Sequence, residues 1–498
     1  MNQTELQRTA QASAAGRAVS LAVVAVFVLL AALTPVGVAA DPTVGAYYYP
    51  WWDTHDWDET LRARMLPQDH RPTAGYKPSS DADVIAEHIN QSHRGNISLW
   101  ASSWWGPGSI EDQVLQNNIL PHPRAGELKH AIHYESGGRF GPRSSPDYSS
   151  LTPDFLYLAE NVFSDPNYYR IDDRPVVIMY ISRAYFDDPA AQQALTAARQ
   201  ALVAQHGYDP YVIGDEVFGS SFSASRASHF EAVTTFDVYA MSGMNDGVVT
   251  PSDIQRAEGK YADAAAAGSV VVPGITPGYN DTAVRSGNTP TGRFFSGGTI
   301  ADAGDVFTAL IDQAALPHVD PQAENLILVN SFNEWHEDTQ IEASVIAPPS
   351  STDDSPSGTA FTQGRTYEGY GTKYLDILRQ HTTPGAPTLI DGDADFDGDL
   401  DADDLQAFVN AWGTENLVDG KRVGGYASRI ARPDFNYDGV VDFADWFVMR
   451  SVHPAAASAN LTQLLKAPEP GSASAVAAGV ASVAGLRRRR TTGALEVR

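Results

Sequence analysis

Hydrophobic residues recur along the chain in short runs, separated by longer segments of mixed polarity. Short apolar runs bounded by turn residues are typical of strands that are buried on both faces of a parallel sheet. The runs that predict strands are Val44–Tyr49, Ile97–Ser103, Leu128–Tyr134, Val176–Ile181, Tyr211–Gly214, Val238–Met241, Val270–Pro273 and Leu326–Asn330.

The segments between these runs carry helix signals. Ser80–Asp83 resembles a capping box, and Thr152-Pro153 and Asp188-Pro189 place a cap and a proline at a helix start. Ala257–Ala267 is rich in alanine, the strongest helix former. The repeated alternation of strand and helix predicts an α/β fold, a (β/α)8 TIM barrel over residues 41–381. A doubly wound open sheet is the alternative, but no glycine-rich phosphate motif follows the first run.

The barrel prediction also indicates where a site would lie, because functional groups of such barrels follow the strands at one face. Aromatic faces stack on the C–H faces of sugar rings while polar groups hold the hydroxyls, so aromatic and polar residues together favour a carbohydrate. Core packing is the alternative for any single aromatic residue, but recurrence at several strand ends favours binding. The candidates are Tyr49, Trp51, Trp104, Trp105, His133, Glu135, Tyr239, Tyr279, Asp281 and Arg285.

The last apolar run changes abruptly into Asn333, Glu334, Trp335, His336 and Glu337. In a continued strand, residues three apart would point to opposite faces. If the strand ends near Asn333 and the chain coils, the two glutamates face the same space. Two carboxyl groups in different protonation states suit acid–base chemistry on a sugar. A surface turn with solvated acids is the alternative.

A series of motifs occurs in order between Val44 and Glu342, namely Tyr48-Tyr-Pro-Trp51, Tyr76-Lys-Pro-Ser-Ser-Asp81, Ser103-Trp-Trp-Gly106, Pro277-Gly-Tyr-Asn-Asp-Thr282 with Arg285, and Asn333-Glu-Trp-His-Glu337 with Thr339-Gln-Ile-Glu342. Together these motifs resemble glycoside hydrolase family 99. The resemblance implies a (β/α)8 barrel and an endo-acting α-mannosidase or α-mannanase.

The resemblance also implies a mechanism that retains the anomeric configuration. In the family, one glutamate deprotonates the sugar's own 2-hydroxyl, which attacks the anomeric carbon to give a 1,2-anhydro intermediate. The other glutamate protonates the leaving oxygen. By position, Glu334 matches the base and Glu337 the acid, and Asn333, Trp335 and His336 are further substrate-binding candidates.

Two features depart from the family pattern. Asp338 stands where a glycine is expected, and the region after Arg285 lacks an expected tryptophan. Both lie near the expected substrate, so the sugar and its linkage stay open. The alternatives are hydrolysis of another α-linked polysaccharide, such as an α-glucan, and non-catalytic glycan binding in a surface matrix. The intact pair of Glu334 and Glu337 favours an enzyme over a non-catalytic binding protein. His336 lacks the companion histidines of a zinc site, so a metal centre is not expected there.

Composition excludes other classes of function. The 498 residues contain 34 Lys and Arg against 61 Asp and Glu, giving a formal net charge of −27. This balance disfavours nucleic-acid binding, because the phosphates would be repelled. The chain has no cysteine, which excludes disulfides, thiolate metal sites and a cysteine nucleophile. No cofactor is expected for catalysis.

Acidic residues concentrate near the C-terminus in two stretches with the spacing of calcium loops, each with glycine at the sixth position, Gly398 and Gly439. Two such loops, each followed by one helix, resemble a dockerin module, here an all-α unit over residues 391–453 between linkers at 382–390 and 454–467. Dockerins pair with cohesins, so a cohesin-like partner or a purely structural use of Ca²⁺ is expected, with an acidic linker as the alternative. The predicted ligands are Asp393, Asp395, Asp397, Asp401, Asp404, Asp434, Asn436, Asp438, Asp442 and Asp445.

Both ends of the chain resemble sorting signals. Residues 1–40 place arginines before the apolar run Leu21–Leu33 and small residues before Asp41, the pattern of a cleaved signal peptide. Residues 468–498 combine Pro468-Glu-Pro470, a weakly apolar segment and Arg487–Arg490, which resembles a bacterial PEP-CTERM sorting tail. The sequence therefore predicts export to the outside or cell surface of a bacterium, with only transient membrane contact.

Overall fold

The structure is a computed structural model that describes residues 41–52, 57–67, 70–219, 222–385, 387–418, 420–422 and 424–466. The predicted signal peptide and the predicted sorting tail lie outside these ranges. No helix within them has the length and apolar character needed to cross a membrane.

A curled, mostly parallel sheet lies at the centre of the described chain. Its strands are β1 (Thr43–Tyr48), β2 (Leu99–Trp104), β3 (Lys129–Tyr134), β4 (Arg174–Met179), β5 (Tyr211–Asp215), β6 (Ala232–Thr234), β7 (Val270–Val271), β8 (Gly274–Ile275) and β9 (Leu326–Val329). They pair in the order β8-β9-β1-β2-β3-β4-β5-β6-β7. Each neighbouring pair is parallel. The short strand Arg170–Ile171 adds an antiparallel pairing to β4.

One stretch of chain, residues 270–275, provides the strands at both ends of this order. Its first part is β7, which pairs with β6, and its second part is β8, which pairs with β9. The N–H of Val272 donates to the carbonyl of Val233, and the N–H of Leu328 donates to the carbonyl of Pro273. The sheet therefore curls back on itself, which is consistent with the predicted (β/α)8 fold and not with an open doubly wound sheet.

Helices separate most of the strands, as the sequence patterns predict. A capping aspartate begins two of them, because Asp81 and Asp188 each accept a hydrogen bond from the first turn. The helices are Leu61–Arg64, Ala82–Arg94, Ile110–Val114, Ser136–Phe140, Leu151–Asn161, Pro189–His206, Ala224–Ala227, Val238–Ser242, Pro251–Ala266, Asp305–Ala309 and Lys373–Thr382, with π-helical continuations at Leu115–Ile119 and Leu310–Ala315. Short strand pairs join Met65–Leu66 to Thr352–Asp353 and Ala347–Ser350 to Tyr367–Gly369.

Alternate residues of the strands face two apolar layers, as the twofold period of a strand requires. Tyr48 and Trp100 lie in a layer that also contains helix residues such as Leu202. Their neighbours Tyr47 and Ala101 lie in a second layer composed mainly of strand residues, inside the curl of the sheet. Inward-facing residues near the carboxyl ends of the strands therefore border the space where a site is expected.

The predicted strand Val238–Met241 is wrong. These residues form the helix Val238–Ser242, and the sixth strand is the preceding segment Ala232–Thr234. Val238 is fully buried in the core, as its hydrophobicity indicates, but it lies on a helix and not on a strand. A short apolar run does not distinguish a strand from a buried turn of helix. Gly243, with a φ of 88°, ends the helix in the left-handed region.

The C-terminal described residues have a small core of their own. The helices Ala402–Ala411 and Phe443–Val452 bury Phe408 and Trp446 against each other, and Tyr426–Ala431 lies between them in the chain. A two-stranded pair joins Leu417–Val418 to Lys421–Arg422. This region contacts the sheet-containing part through Arg94, which forms ion pairs with Asp376 and Asp391 at 2.7 and 2.8 Å.

Candidate active site

The chain after β9 is fixed to the end of β1 by Asn333. The Oδ1 of Asn333 accepts from the N–H of Tyr49 at 2.7 Å, and its Nδ2 donates to the carbonyl of Tyr49 at 3.0 Å. The indole N–H of Trp52 donates to the carbonyl of Asn333 at 3.1 Å. Asn333 is fully buried, so its amide holds this loop in place and is not presented to a ligand.

The loop also closes on itself around Ser331 and Thr339. Their hydroxyl oxygens lie 2.8 Å apart, and the N–H of Ser331 donates to the carbonyl of Thr339. The hydroxyl of Ser331 accepts from the N–H of Glu334 at 2.8 Å. These hydrogen bonds coil the chain directly after the strand. Glu334 and Glu337 consequently line the same cavity, as expected for two carboxyl groups that act on one sugar.

Asp338 directly follows Glu337 and has a φ of 50°, a conformation that favours glycine. Its carboxylate is held instead by two arginines. The Nε of Arg62 donates to Oδ1 at 2.6 Å. The Nη2 of Arg293 lies 3.5 Å from Oδ2 and donates to the backbone carbonyl of Asp338 at 2.7 Å. Burial acts to raise the pKa of Asp338, but these two cations hold it below its ordinary value. The residue that departs from the family pattern is thus a buried anchor beside Glu337.

The two glutamates open into a cleft of about 390 Å³ at the carboxyl ends of the strands. Its walls combine aromatic rings, carboxyl groups and one arginine, a composition that suits a carbohydrate. Trp105 lies at the rim and is 40 % exposed. The lining residues are Tyr49, Trp51, Glu59, Trp105, Glu135, Tyr180, Phe236, Val284, Arg285, Glu334, His336 and Glu337.

Glu337 has the electrostatic surroundings of an acid. Burial and then the charge of Glu334 raise its pKa to about 8, against the lowering effect of Arg285. The Nη1 of Arg285 donates to Oε1 of Glu337 and to Oδ2 of Asp281, both at 2.9 Å. Oε2 of Glu337 has no hydrogen-bond partner among the described residues. The proton of Glu337 can therefore reside on an oxygen that no described residue binds.

Glu334 has different surroundings. Its side chain is 4 % exposed, and its Oε1 accepts from the backbone N–H of His336 at 2.8 Å. The Nδ1 of His336 lies 3.4 Å from the same oxygen, and the imidazole stacks on Trp52 with a centroid distance of 4.7 Å. A backbone N–H thus donates to Glu334 with an imidazole nitrogen close by, whereas Glu337 keeps one oxygen without a partner among the described residues.

A third carboxyl group, Glu135, lies in the cleft wall. Burial raises its pKa to about 8, although the hydroxyl of Ser103, which donates to it at 2.7 Å, acts in the opposite direction. The same hydroxyl accepts from the indole N–H of Trp105 at 3.0 Å. The Trp105 ring fills the space beside Gly138, where an added Cβ would lie 2.4 Å from a ring carbon. Trp105 and Glu135 are therefore held as one unit.

A family model decides which class of enzyme this cleft belongs to. The model described as Glycosyl hydrolase family 99 matches residues 40–354. The chain belongs to glycosyl hydrolase family 99. This family 99 protein is accordingly a glycoside hydrolase, which confirms the enzyme class and the family that the motifs predicted.

Curated relatives of the family 99 enzyme agree with this assignment. It is 25% identical over 335 residues to "Glycoprotein endo-alpha-1,2-mannosidase" of Mus musculus, covering 60% of this chain and 67% of the relative. It is 26% identical over 329 residues to "Glycoprotein endo-alpha-1,2-mannosidase-like protein" of Homo sapiens, covering 60% and 68%. A solved structure named "Glycoside hydrolase-like protein" has a TM-score of 0.50 at 19% identity, covering 69% of this chain and 94% of the other, and shows the fold alone.

The structure brings together part of the predicted substrate-binding set of the family 99 enzyme. The residues in the cleft lining are Tyr49, Trp51, Trp105, Glu135, Arg285 and His336, with Glu334 and Glu337. Tyr239 and Tyr279 stack on each other outside the lining, with ring centroids 3.9 Å apart. Burial is the main cause that raises the pKa of both tyrosines, and the charge of Glu337 is the second. The predicted residues that the cleft lining does not include are Trp104, His133, Tyr239, Tyr279, Asp281, Asn333 and Trp335.

Most residues outside the lining hold neighbours in place. The indole N–H of Trp104 donates to Asp112 at 2.8 Å, and that of Trp335 donates to Glu342 at 2.7 Å. His133 is buried against Phe236, and burial lowers its pKa to about 3. These side chains are part of the core beneath and beside the cleft.

Some lining residues were not predicted from the sequence. Tyr180 directly follows β4, so the strand-end rule that selected the other aromatics also applies to it. Phe236 follows the true sixth strand and was missed because that strand was placed too late in the chain. No sequence signal marked Glu59, which lies on a short 3₁₀ turn, or Val284.

The predicted calcium loops have matching backbones. Phe396 and Tyr437, at the fourth positions, both have a φ of 64°, and Gly398 and Gly439, at the sixth, have φ values of 94° and 87°. In the first loop, carboxylate oxygens of Asp393, Asp395 and Asp397 lie within 4.8 Å of one another, as do those of Asp399, Asp401 and Asp404.

The last two acidic residues of each loop form a capping box at the start of the following helix. Asp401 and Asp404 form a capping box at the first helix, and Asp442 and Asp445 form the same box at the second. Asp399 belongs to the second cluster of the first loop although it was not a predicted ligand. Hard, clustered oxygen donors on a tight loop fit the ligand preference of Ca²⁺.

Proposed function

We propose that this family 99 enzyme is a retaining endo-α-glycosidase that hydrolyses α-mannosidic linkages through a 1,2-anhydro sugar. The contrast between Glu334 and Glu337 in one cleft carries the proposal. One carboxyl group retains its proton near neutral pH and the other lies against hydrogen-bond donors, which is the division of roles that acid–base catalysis requires. The names of the curated relatives, which are endo-α-1,2-mannosidases and endo-α-1,2-mannosidase-like proteins, support α-mannose as the sugar.

In the first step, the Glu334 carboxylate takes the proton of the sugar's 2-hydroxyl. The freed oxygen attacks the anomeric carbon as the glycosidic C–O bond breaks, and Glu337 gives its proton to the leaving oxygen. In the second step, water attacks the anomeric carbon and opens the anhydro ring. Glu337 takes a proton from the water and Glu334 returns its proton to the 2-oxygen. Two inversions give net retention of configuration.

Other cleft residues position the sugar in this scheme. Trp51 and Trp105 offer ring faces for the C–H faces of pyranoses. Glu135, which the raised pKa keeps protonated near neutral pH, donates a hydrogen bond to a sugar hydroxyl. Arg285 binds Glu337 directly and stabilises the carboxylate that remains once Glu337 has given up its proton.

Substitution of each glutamate by glutamine tests the proposal. Either change keeps the shape of the side chain and removes its proton chemistry, so turnover of an α-mannan should fall by about 10²–10⁴. An activated leaving group needs little protonation and should partly rescue Glu337→Gln but not Glu334→Gln. Glu258→Gln, on an outer helix, is the matched control and should leave turnover unchanged. Full activity of Glu334→Gln, or a product of inverted configuration, would contradict the mechanism.

The C-terminal loops are proposed to bind calcium in a structural, dockerin-like module. Asp393 and Asp434 would hold the ion with the other acidic loop residues, and the ion would neutralise their mutual repulsion. Since binding energy then becomes folding energy, adding Ca²⁺ should raise the melting temperature of residues 391–453 within the full chain. A cohesin-like protein remains the proposed partner of this module.

Export and surface location are proposed from the two chain ends. Mass spectrometry of the protein isolated from its host should find an N-terminus near Asp41 and no Arg487–Arg490. An intact arginine cluster on the surface-located protein would contradict the sorting-tail prediction.

A further inference from the structure

A second cavity lies apart from the cleft and shares none of its lining residues. Its volume is about 290 Å³, close to the lower end of the range of roughly 300–1,000 Å³ for ligand pockets. Arg62 and Arg293 line it, and both hold Asp338, so the cavity lies behind the Glu337–Asp338 turn. Neither the catalytic scheme nor the predicted calcium module uses these residues.

One wall of this cavity alternates tyrosines with arginines. The Arg62 guanidinium lies 5.1 Å from the ring centre of Tyr367 and 5.5 Å from that of Tyr370. The Arg293 guanidinium lies 5.3 Å from Tyr370 and 4.7 Å from Tyr374. All five residues line the cavity. The remaining lining is partly apolar and includes Val249, Phe294, Phe295 and Ile300.

Positive charge dominates the lining. Three arginines face the cavity, Arg62, Arg293 and Arg365, against one carboxylate, Glu368, which is paired with Lys373. Arg365 donates to the carbonyl of Gly247 at 2.6 Å. Within the described part of the chain, no carboxylate lies within 4.0 Å of its guanidinium. Asp338, which both Arg62 and Arg293 hold, offsets one of their two charges, so the excess of positive charge rests on the other and on Arg365.

Arg293 adds an unsatisfied donor. The residue is 6% exposed, and its Nε has no hydrogen-bond partner among the described residues. A buried guanidinium N–H without a partner is costly, and an anionic oxygen would satisfy it. Arginine also matches carboxylate and phosphate in geometry, because its N–H groups form a planar fork.

We propose that this cavity binds a small organic anion, a carboxylate or a phosphate monoester carried on a ring-shaped body. The anionic group would contact Arg365 and Arg293, and the ring would lie on the tyrosine and phenylalanine faces. The site is separate from the hydrolytic cleft. The proposal goes beyond the proposed function and does not depend on it, because its test measures binding and not turnover.

Calorimetric titration of the full chain tests the proposal with three probes of similar size: glucuronate, glucose 6-phosphate and glucose. At least one anion should bind at concentrations up to about 10 mM, and neutral glucose should not. Which anion binds identifies the preferred head group. Arg365→Gln should weaken binding by about tenfold to a hundredfold, the effect of losing one charged hydrogen bond. Arg365 is only half-buried, so this variant should fold, and circular dichroism checks that it does.

Two arginine variants serve as controls. Arg64→Gln removes a neighbouring cation that pairs with Asp354 outside the cavity, and Arg285→Gln removes the cation of the cleft. Neither should change the affinity for the anion. The proposal is overturned if neither anion binds, if glucose binds as well as the anions, or if Arg285→Gln weakens binding and Arg365→Gln does not.

Discussion

The raised pKa of Glu337 has a consequence for stability that can be separated from turnover. The ordinary pKa of a glutamate is 4.5, and in the folded protein that of Glu337 is about 8. Between these values the folded state binds one more proton than the unfolded state. The free energy of unfolding must therefore fall as pH rises through this window. The slope for one proton is about 1.4 kcal/mol per pH unit, so the full window costs at most roughly 5 kcal/mol.

Glu337→Gln should remove this contribution, because an amide does not titrate. Urea unfolding, followed by tryptophan fluorescence between about pH 5 and pH 8, should show a wild-type stability that falls more steeply than that of the variant. Glu135, with a pKa that is also about 8, titrates in both proteins; burial is the largest cause of its shift and the charge of Glu337 the smallest, so most of its contribution cancels in the difference. Arg285 is exposed and keeps its contact with Asp281 in the variant, so the substitution leaves no buried charge without a partner.

The comparison has a clear refutation. If wild type and Glu337→Gln lose stability in parallel over this pH range, Glu337 does not hold a proton in the folded protein and cannot be the acid. The surface variant Glu258→Gln should follow the wild-type slope. A variant that is inactive yet more stable than wild type near pH 8 is the expected outcome.

Three further predictions concern single contacts. Asp338→Asn should lower the free energy of unfolding, measured in urea, by roughly 3–5 kcal/mol because it leaves Arg62 buried without its carboxylate. Asp338→Gly should lower it by about 1 kcal/mol less, because glycine relieves the strain of the positive φ. Stability equal to that of the wild type would refute the buried ion pair. Gly138→Ala should push the Trp105 ring out of place and raise KM severalfold with little change in kcat, whereas unchanged kinetics would show that Trp105 does not bind substrate. Calcium chelation should lower the melting temperature of Asp434→Ala less than that of the wild type, because only the first loop remains to bind the ion, and an equal response of both proteins would exclude the second loop.

Most strand positions along the chain were predicted correctly, because buried parallel strands are short apolar runs that differ from the more polar segments around them. The error at Val238–Met241 shows the limit of that signal. Val238 is buried whether the segment is a helix or a strand, so hydrophobicity alone did not distinguish them. The preceding run Ala232–Thr234 is shorter and less apolar, although it carries the sheet pairing.

The site was predictable as a location but less so as a set of side chains. The coil after β9 brings Glu334 and Glu337 into one cleft, as their spacing required. Trp104 and Trp335 show what spacing does not reveal. Trp104 ends β2 and Trp335 follows β9, but unlike Trp105 each has its indole N–H bound inside the core. The arginine partners of Asp338 were also unpredictable, because Arg62 is 276 residues away in the chain.

The hydrogen bonds between Asn333 and Tyr49 join residues 284 positions apart, which has a consequence for the order of assembly. During synthesis, the loop that bears the two glutamates can bind to the end of the first strand only after the last strand has been made. Contacts of such long range form late, because the closure entropy of the intervening chain must be overcome first. A nascent or truncated chain that ends before residue 333 thus has much of the sheet but no complete cleft, so hydrolytic competence arrives only with the final strand.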